Sequence, residues 1–311
     1  MDISIVMPAH NEAESITAVL ERIQRTMDAI GRSYEIVLVD DGSTDETAAL
    51  AEQSGARVVS NPMNMGNGAA VKAGLRNAQG EIIVLLDADG QHPPERIPDL
   101  LAALERADMV VGARSKDSDT KWHRDLANTV YNRFASYITG VDIKDLTSGF
   151  RALRAEVGRE FIYLLPNTFS YPTTLTMAVL RSGLRLIYVP IQGAKRRGKS
   201  KIKLMKDGPR FLLIIMRIAT LFSPMKIFFP VSLGMFAAGL GWGLFKILFL
   251  NARYGPTSAM LMTVAVLTFL VGLVSEQVTT LLYASSARAA EAAQAEIEKE
   301  VREKAAEGCR E

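Results

Sequence analysis

Residues 82–91, Ile-Ile-Val-Leu-Leu-Asp-Ala-Asp-Gly-Gln, carry the strongest fold signal in this chain. The first five are continuously apolar, as is typical of a central strand covered on both faces. Asp87 and Asp89 follow directly, and two carboxylates so close together repel each other unless a cation or solvent intervenes. The stretch therefore predicts a buried strand of a parallel sheet that ends in a candidate metal-binding loop.

Short apolar runs alternate with amphipathic stretches on both sides of this segment, over residues 1–114. The predicted strands are Ile3–Met7, Glu35–Asp40, Arg57–Ser60, Ile82–Asp87 and Met109–Gly112. The predicted helices are Ala13–Ile30, Glu46–Ser54, Gly68–Asn77 and Glu95–Glu105. Strand–helix alternation at this spacing predicts the α/β class, with a Rossmann-like, mostly parallel sheet between helices.

Polar side chains gather where four of the predicted strands end, and ligands bind beyond those ends in such sheets. The segments concerned are Pro8–Glu12, Asp40 with Asp41, Asp87–Gln91, and Arg114. Grouped carboxylates suit a hard cation, Mg²⁺ or Mn²⁺, that bridges to substrate phosphates. The plainer interpretation is that these residues only form turns and helix caps. We accept it for Asp45 but not for Asp87 and Asp89.

Other motifs in the sequence are weaker evidence for a function than this group of carboxylates. A phosphohydrolase of the haloacid dehalogenase type has Asp-x-Asp-Gly followed by Thr or Val, whereas Gln91 stands there in this chain. Residues 66–68 begin like a dinucleotide fingerprint, but Val71 takes the place of the third glycine. The histidines, which we interpret as bystanders without partners at metal-ligand spacing, are His10, His92 and His123. The single cysteine, Cys309, excludes a disulfide within the chain.

The C-terminal third contains two uncharged runs of 19 residues, Ile227–Phe245 and Thr257–Ser275. A membrane-spanning helix needs about 20 mostly apolar residues. Residues 251–256, Asn-Ala-Arg-Tyr-Gly-Pro, separate the runs and are typical of a turn. This pattern predicts a two-helix transmembrane hairpin. Glu276, near the end of the second run, is expected to snorkel or to pair with a basic neighbour, with no role in transport.

Charge is strongly segregated along the chain. Lys and Arg number 36 against 34 Asp and Glu, a net charge of +2 that points to no nucleic-acid partner. Residues 1–193 hold 19 basic and 25 acidic side chains, whereas residues 194–226 hold ten basic side chains and one acid. Excess Lys and Arg before a span marks the cytoplasmic flank. We therefore expect a multi-pass protein of the cell inner (plasma) membrane whose N-terminal domain is cytoplasmic.

These observations divide the chain into four parts. Residues 1–201 form the soluble domain, and residues 202–224 form an amphipathic helix at the membrane interface, attracted by anionic lipid. An ordinary linker helix packed on the soluble domain is the alternative for this second part. Residues 225–283 form the hairpin, and residues 284–311 form a cytoplasmic helical tail rich in Ala, Glu and Lys.

Six motifs in order resemble inverting family 2 glycosyltransferases with the GT-A fold, specifically the dolichol- or polyprenyl-phosphate hexose (mannose or glucose) synthases. The motifs are Met7–Glu12, Val39–Asp45, Asp87–Gln91, Gly112–Arg114, Thr147–Arg151 and Gly198–Lys201. The resemblance covers about residues 2–204 and then the two-span hairpin. It implies a GT-A catalytic domain anchored by the hairpin.

The resemblance also implies how a nucleotide-sugar donor would be held. The loop from Pro8 through Ala9, Asn11 and Glu12, together with Asp40, would hold the base and ribose, and Asp41 would support that loop. The ligands of Mg²⁺ or Mn²⁺ on the donor diphosphate would be Asp87, Asp89 and Gln91. A basic loop would fold over the diphosphate, through Arg196 as the preferred cation with Lys199 and Ser200.

On the acceptor side, the resemblance implies that Arg114 faces the phosphate of a polyprenyl or dolichyl lipid. Arg124 or Arg133 would join it, and Ser148 belongs to the segment that shapes the sugar and acceptor side. A hexose would pass from a nucleotide sugar, with UDP preferred and GDP-mannose as the other option, to the lipid phosphate with inversion. The product is a β-linked polyprenyl phosphosugar. An anionic acceptor needs no general base, so positioning and charge stabilisation are the catalytic demands.

Two alternatives stay open at this point. The first is a glycosyltransferase of the same fold that acts on a polysaccharide or a protein, although the Gln-x-x-Arg-Trp segment of processive synthases is absent from the sequence. A membrane scaffold with a degenerate transferase domain is the alternative from another class, and the intact Asp87, Asp89 and Gln91 argue against it. A homo-oligomer is compatible with the sequence.

Overall fold

The computed structural model describes residues 1–114, 122–167, 171–192, 220–250 and 253–308, and for residues 122–128 and 283–308 it describes the backbone alone. The chain forms two compact units, Met1–Gly208 and Pro209–Glu311. The predicted interfacial helix over residues 202–224 lies mostly outside the described residues, which resume with one helical turn at 220–222.

The first unit is built on one seven-stranded sheet. Its strands are β1 (Ile3–Ala9), β2 (Tyr34–Asp40), β3 (Arg57–Ser60), β4 (Ile82–Leu85), β5 (Met109–Arg114), β6 (Arg151–Arg154) and β7 (Leu186–Ile191). Their order across the sheet is β3-β2-β1-β4-β6-β5-β7. Every neighbouring pair is parallel except the two pairs that contain β6. The prediction of a mostly parallel α/β sheet is confirmed.

Helices connect the strands and cover the sheet. They are α1 (Ile16–Ile30), α2 (Thr47–Gln53), α3 (Asn67–Asn77), α4 (Ile97–Leu104, preceded by a 3₁₀ turn at Pro94–Arg96), α5 (Trp122–Thr139), α6 (Ala155–Glu160) and α7 (Tyr171–Arg181). The core lies between these helices and the strands. On one face Ile5 and Val84 cluster with Leu20 and Leu100, all fully buried. Each such side chain contributes about 1.5–3 kcal/mol through burial.

The opposite face of the sheet is covered partly by α3. This helix lies so close to β1 that a Cβ added at Gly74 would collide with the side chain of Val6. Val6 points away from Ile5 because successive side chains of a strand alternate between the two faces. Both faces of β1 are therefore covered. In the neighbouring strand β4, Ile83, Val84 and Leu85 are all fully buried although they point alternately to the two faces, which is why that strand is continuously apolar.

The predicted elements before residue 114 are confirmed, with shifts at their ends. β4 ends at Leu85 instead of Asp87, and α1 begins at Ile16 instead of Ala13. Ser43 and Glu46 match the capping-box pattern in sequence. The box is not formed, because the Ser43 hydroxyl instead accepts a hydrogen bond from the backbone N–H of Asn11 at 3.0 Å. These differences arise where the polar loops at the strand ends bind each other instead of extending the strand or helix.

β6 and β7 were not among the predicted strands, and β6 affects the site. It runs antiparallel between β4 and β5, with Arg151 opposite Leu85 on one side and Val111 on the other. The N-terminal end of an antiparallel strand lies at the same edge as the carboxyl ends of its neighbours. β6 therefore brings the loop at residues 145–150 to the edge where β4 and β5 end.

The second unit contains two long helices, α8 (Met225–Leu250) and α9 (Pro256–Gly308). Met225–Leu250 and Pro256–Leu282 are long and apolar enough to cross a membrane. The helices pack tightly through glycine, since a Cβ at Gly272 would stand 2.5 Å from the Cβ of Phe228. The carboxylate of Glu276 accepts a hydrogen bond at 3.3 Å from the N–H of Met225, where α8 begins. Glu276 thus caps the first helix, and α9 continues without a break into the predicted tail.

Candidate active site

The loops that follow β1, β2, β4 and β5 lie at one edge of the sheet, because these four strands run in the same direction. This edge therefore brings together the described residues predicted to hold the donor, the metal and the acceptor phosphate. The loop before β6 joins them from the antiparallel strand. Five segments that are distant in sequence thus form one candidate site.

The loop after β1 is held in an unusual backbone conformation. Asn11 has φ 57°, which makes it the one residue other than glycine with positive φ among those described. The Asn11 N–H donates to Ser43 Oγ, and Asn11 Oδ1 accepts from Thr44 N at 2.8 Å. Glu12 N donates to Thr47 Oγ1 at 2.9 Å. These bonds tie the predicted base-and-ribose loop to the loop after β2, so that the two act as one support.

Asp40 and Asp41, at the end of β2, are both buried. Asp40 Oδ1 accepts from Ser43 N at 3.1 Å. The Asp41 carboxylate accepts from Asn61 Nδ2 and from the N–H groups of Met65 and Gly66, at 2.8–2.9 Å. The Asp41 side chain therefore holds the loop at residues 61–66, and only its backbone, bonded to Ala9, supports the loop after β1.

Asp45 is a turn-forming residue, in agreement with the plainer interpretation. Its carboxylate accepts hydrogen bonds from Thr47 N and Ala13 N. Burial raises the pKa of Asp45, but these bonds and one from the Thr47 hydroxyl outweigh it, so the pKa lies below its usual value. The carboxylate is committed to organising the start of α2.

Asp87 and Asp89 lie in the loop directly after β4 and are partly exposed. Gly90 turns the chain with φ +72°, and Gln91 N donates to Asp89 Oδ1 at 3.1 Å. A Cβ at Gly149 would stand 2.8 Å from Asp87 Oδ2, so the loop before β6 leaves room for this carboxylate. Two accessible carboxylates and the amide of Gln91 are the hard oxygen ligands that Mg²⁺ and Mn²⁺ prefer. These residues fit a divalent cation.

The protein itself would supply few ligands to a bound metal ion. Across the described part of the chain, His, Cys, Asp and Glu side chains form no group of three or more that could hold a metal ion. A cation bound by Asp87 and Asp89 would therefore complete its coordination with Gln91, water and substrate oxygens. Open coordination of this kind is usual for magnesium at phosphate-binding sites.

His92 supports the candidate metal-binding loop, a structural role that the interpretation as a bystander did not include. The N–H of Asp87 donates to His92 Nδ1 at 3.2 Å, and the ring stacks on Phe150 with centroids 5.5 Å apart. Burial lowers the pKa of His92 to about 4, even though the Asp89 carboxylate acts in the opposite direction. The ring is therefore neutral at pH 7, and its 3.8 Å approach to Asp87 Oδ2 is no ion pair. The sequence feature that could have indicated this role is the position of His92 directly after Gln91.

Arg114, at the end of β5, is held by Asp145. Arg114 Nε donates to Asp145 Oδ2 at 2.8 Å, and a terminal nitrogen donates to Asp145 Oδ1 at 3.1 Å and to Thr147 Oγ1 at 2.6 Å. Exposed fractions are 26% for the Arg114 side chain and 9% for that of Asp145. Burial raises the pKa of Asp145, but the hydrogen bonds and charge of Arg114 outweigh it and hold the pKa below its usual value. Sequence reasoning did not identify Asp145.

Ser148 and Arg151 belong to the scaffold behind the site. The Ser148 hydroxyl is buried and donates to the carbonyl of Gly112 at 2.6 Å, so its hydroxyl is committed to the backbone of β5. Arg151 is fully buried and donates to Ser148 O, Leu146 O and Thr176 Oγ1. Burial lowers the pKa of Arg151. Ser148 thus lies where the sequence placed it, in the loop before β6, and supports that loop.

Some predicted site residues lie outside what the structure describes. Arg196, Lys199 and Ser200 are not among the described residues, and Arg124 lies in α5 with only its backbone described. Arg133, the alternative to Arg124, is exposed on the same helix. The roles of all five therefore stay predictions.

A mostly parallel sheet with acidic side chains at its carboxyl edge, followed by an apolar hairpin, is the arrangement expected of a membrane-anchored GT-A glycosyltransferase. The profile described as "Glycosyl transferase family 2" matches residues 4–161, and the one described as "GtrB C-terminal hairpin" matches residues 223–281. The chain belongs to glycosyltransferase family 2. The predicted family is confirmed.

Curated relatives are undecaprenyl-phosphate 4-deoxy-4-formamido-L-arabinose transferases. The protein of Edwardsiella ictaluri (strain 93-146) is 34% identical over 211 residues, which are 66% of this chain and 64% of that protein. The protein of Enterobacter sp. (strain 638) is 31% identical over 290 residues, 87% of this chain and 84% of that protein. These relatives agree with the predicted class of polyprenyl-phosphate glycosyltransferase, and with the prediction that the chain is a membrane protein.

Solved structures of glucosyl-3-phosphoglycerate synthase from Mycobacterium tuberculosis share the fold. The complex with Mn²⁺, UDP and phosphoglyceric acid is 24% identical, covers 70% of this chain and 78% of its own, and has a TM-score of 0.57. The complex with Mn²⁺ and UDP-glucose is 26% identical, covers 69% and 78%, and has a TM-score of 0.53. The predicted GT-A fold is thereby confirmed.

Proposed function

We propose that this protein transfers a sugar from a nucleotide sugar to a polyprenyl phosphate at the cytoplasmic face of the membrane. The observation that carries the proposal is the placement of Asp87 and Asp89 at the same sheet edge as Arg114, in a chain with two candidate spans. Carboxylates suit the cation of a donor diphosphate, and a guanidinium suits an acceptor phosphate. The names of the relatives support the lipid acceptor.

In the reaction, an oxygen of the lipid phosphate attacks C1 of the sugar while the bond from C1 to the donor diphosphate breaks. The loops after β1 and β2 hold the nucleoside, and Asp87, Asp89 and Gln91 hold the divalent cation. When bound, that cation neutralises charge on the departing nucleoside diphosphate. Arg114 holds the acceptor phosphate, which is already anionic, so that no residue has to remove a proton. In-line attack inverts the configuration at C1.

The donor is a UDP-sugar in this proposal, with Mn²⁺ or Mg²⁺ as the cation. The fold neighbours that bind Mn²⁺ with UDP or UDP-glucose support this choice. A hexose remains the expected sugar from the sequence, although the relatives are named for an arabinose derivative. The predicted loop closure through Arg196, Lys199 and Ser200 belongs to this proposal.

The test is a transfer assay with the purified full chain in detergent. UDP-glucose, UDP-galactose, UDP-4-deoxy-4-formamido-L-arabinose and GDP-mannose are each offered with undecaprenyl phosphate, with Mn²⁺, with Mg²⁺ or with a chelator. We expect a lipid-linked sugar from one UDP-sugar, and only with a divalent cation. Transfer to a polysaccharide or peptide but never to lipid phosphate would contradict the proposal. So would an absence of nucleotide binding, which would favour the scaffold alternative.

A further inference from the structure

The two oxygens of the Asp145 carboxylate have different partners. Among the described residues, Oδ2 accepts from Arg114 alone, from its Nε at 2.8 Å and its backbone N–H at 3.3 Å. Oδ1 accepts from the N–H groups of Thr147 and Ser148 at 3.0 and 3.1 Å, from the Thr147 hydroxyl at 3.2 Å, and from a terminal nitrogen of Arg114. One side chain thus links the cation at the end of β5 to the turn before β6.

We propose that Asp145 is a positioning residue that sets the orientation in which Arg114 receives the acceptor phosphate. This inference rests on the proposed function. A guanidinium is planar, so holding Nε and one terminal nitrogen fixes the plane of the whole group. Thr147 Oγ1 adds a third contact to the same group, at 2.6 Å. The direction of Arg114 is therefore set before any lipid binds.

Charge and burial explain why the positioning residue is an aspartate. Arg114 is only about one quarter exposed, and removing a guanidinium from water is costly unless a counter-charge lies beside it. Asp145 supplies that charge from a nearly buried position, where thermal motion of its short side chain is restricted. A lysine at position 114 carries the charge but lacks the planar fork that two carboxylate oxygens recognise.

Because the two carboxylate oxygens of Asp145 have different sets of partners, one substitution is informative. In Asp145→Asn the amide oxygen can still accept from Thr147 N and Ser148 N, so the turn is retained. The amide nitrogen then faces Arg114 Nε, and two donors repel each other. With this substitution the orientation of the Arg114 guanidinium is no longer fixed, whereas the loop changes little. Asp142→Asn is the matched control, since Asp142 is exposed three residues earlier in the same loop.

The experiment measures steady-state transfer to undecaprenyl phosphate by the full chain, with UDP affinity and melting temperature measured in parallel. We expect Asp145→Asn to lower kcat/KM for the lipid phosphate by about tenfold to a hundredfold, since a misplacement of about 1 Å can cost this much. UDP affinity should stay near the wild-type value, and Asp145→Glu should recover part of the activity. The melting temperature of Asp145→Asn should fall, because the substitution removes the counter-charge of a mostly buried guanidinium. Asp142→Asn should behave as wild type.

A double-mutant cycle distinguishes positioning from a purely structural role. If Asp145 acts through Arg114, Arg114→Lys should cost much less in the Asp145→Asn background than in the wild type. Thr147→Val is the second variant, used if Asp145→Asn folds poorly. It keeps the Asp145 carboxylate but removes the hydroxyl that accepts from the guanidinium and donates to Asp145 Oδ1, so it should lower the same kcat/KM. Additive losses in the cycle, or equal losses of UDP affinity and lipid kcat/KM, would overturn the assignment. Wild-type protein that binds UDP but never uses lipid phosphate would instead overturn the proposed function.

Discussion

Gly149 lies against Asp87, so that a Cβ added to the glycine would stand 2.8 Å from Asp87 Oδ2 and 3.2 Å from the hydroxyl of Tyr171. The loop before β6 and the loop after β4 therefore approach each other with no space for a side chain. Gly149 is needed here for this close approach. The candidate metal site is thus bounded by a segment more than 50 residues away in sequence.

Gly149→Ala should disturb the metal-binding carboxylate. The new methyl group displaces Asp87 or its loop, so Mn²⁺ affinity and transfer should each fall by about tenfold to a hundredfold. Gly158→Ala is the control, because its Cβ would meet the ends of three apolar side chains, those of Leu75, Leu153 and Ile83, at 3.1, 3.2 and 3.8 Å. Titration of Mn²⁺ against both variants, together with the transfer assay, checks this prediction. Unchanged Mn²⁺ affinity in Gly149→Ala would show that Asp87 does not bind the metal.

Asp89→Asn should abolish metal-dependent transfer. The substitution removes one of two carboxylates from the candidate site while keeping its size, so we expect activity to fall about 100-fold or more. Asp99→Asn removes an exposed carboxylate of α4 that forms a salt bridge with Arg96 in the preceding 3₁₀ turn, and this variant should keep full activity. Both variants are assayed over a range of Mn²⁺ concentrations. An Asp89→Asn protein with wild-type activity at limiting Mn²⁺ would refute the metal assignment.

The stability of the first unit should depend on pH through Glu35. Its carboxylate accepts hydrogen bonds from Ser4 Oγ, Gln79 N and Arg57. Burial raises the pKa of Glu35, but these bonds outweigh it, so the pKa lies below its usual value. A lowered folded-state pKa stabilises the fold above the unfolded value of about 4.3, and this stability is lost as the pH falls through the folded value.

Glu35→Gln should therefore lose about 1–3 kcal/mol at pH 7, and the difference from wild type should shrink below about pH 4. Glu52→Gln, at an exposed position in α2, should leave the curve unchanged. Melting temperatures measured from pH 3 to pH 7 test both variants. A constant difference between Glu35→Gln and wild type over that range would exclude the proposed protonation linkage.

The stability of the hairpin should depend on Gly272, whereas it should tolerate alanine at position 241. A Cβ at Gly272 collides with the Cβ of Phe228, which cannot rotate away, and overpacking of this kind costs about 1–3 kcal/mol. Gly241 has no atom within 4 Å of its added Cβ, and alanine is the better helix former. Thermal stability in detergent should therefore fall for Gly272→Ala and hold or rise for Gly241→Ala. Equal behaviour of the two variants would contradict this helix packing.

Local pattern was enough to predict much of this protein. Apolar runs of the right length determined the first five strands and the two candidate spans, because burial on both faces and the thickness of a bilayer leave direct traces in sequence. The carboxylates Asp87 and Asp89 were predicted for a similar reason, since they follow a buried strand. The carboxyl ends of parallel strands lie at one edge of the sheet, irrespective of the loops that connect the strands.

Contacts between distant segments were decided only by the tertiary structure. β6 is four residues long and antiparallel within an otherwise parallel sheet, and its insertion between β4 and β5 sets the positions of Gly149 and Arg151. Asp145 and His92 lack a periodic pattern, and their partners, Arg114 and Phe150, come close only after the chain folds. A hydrogen bond or a close approach depends on distances of a few tenths of an ångström, and residue order alone does not specify such distances.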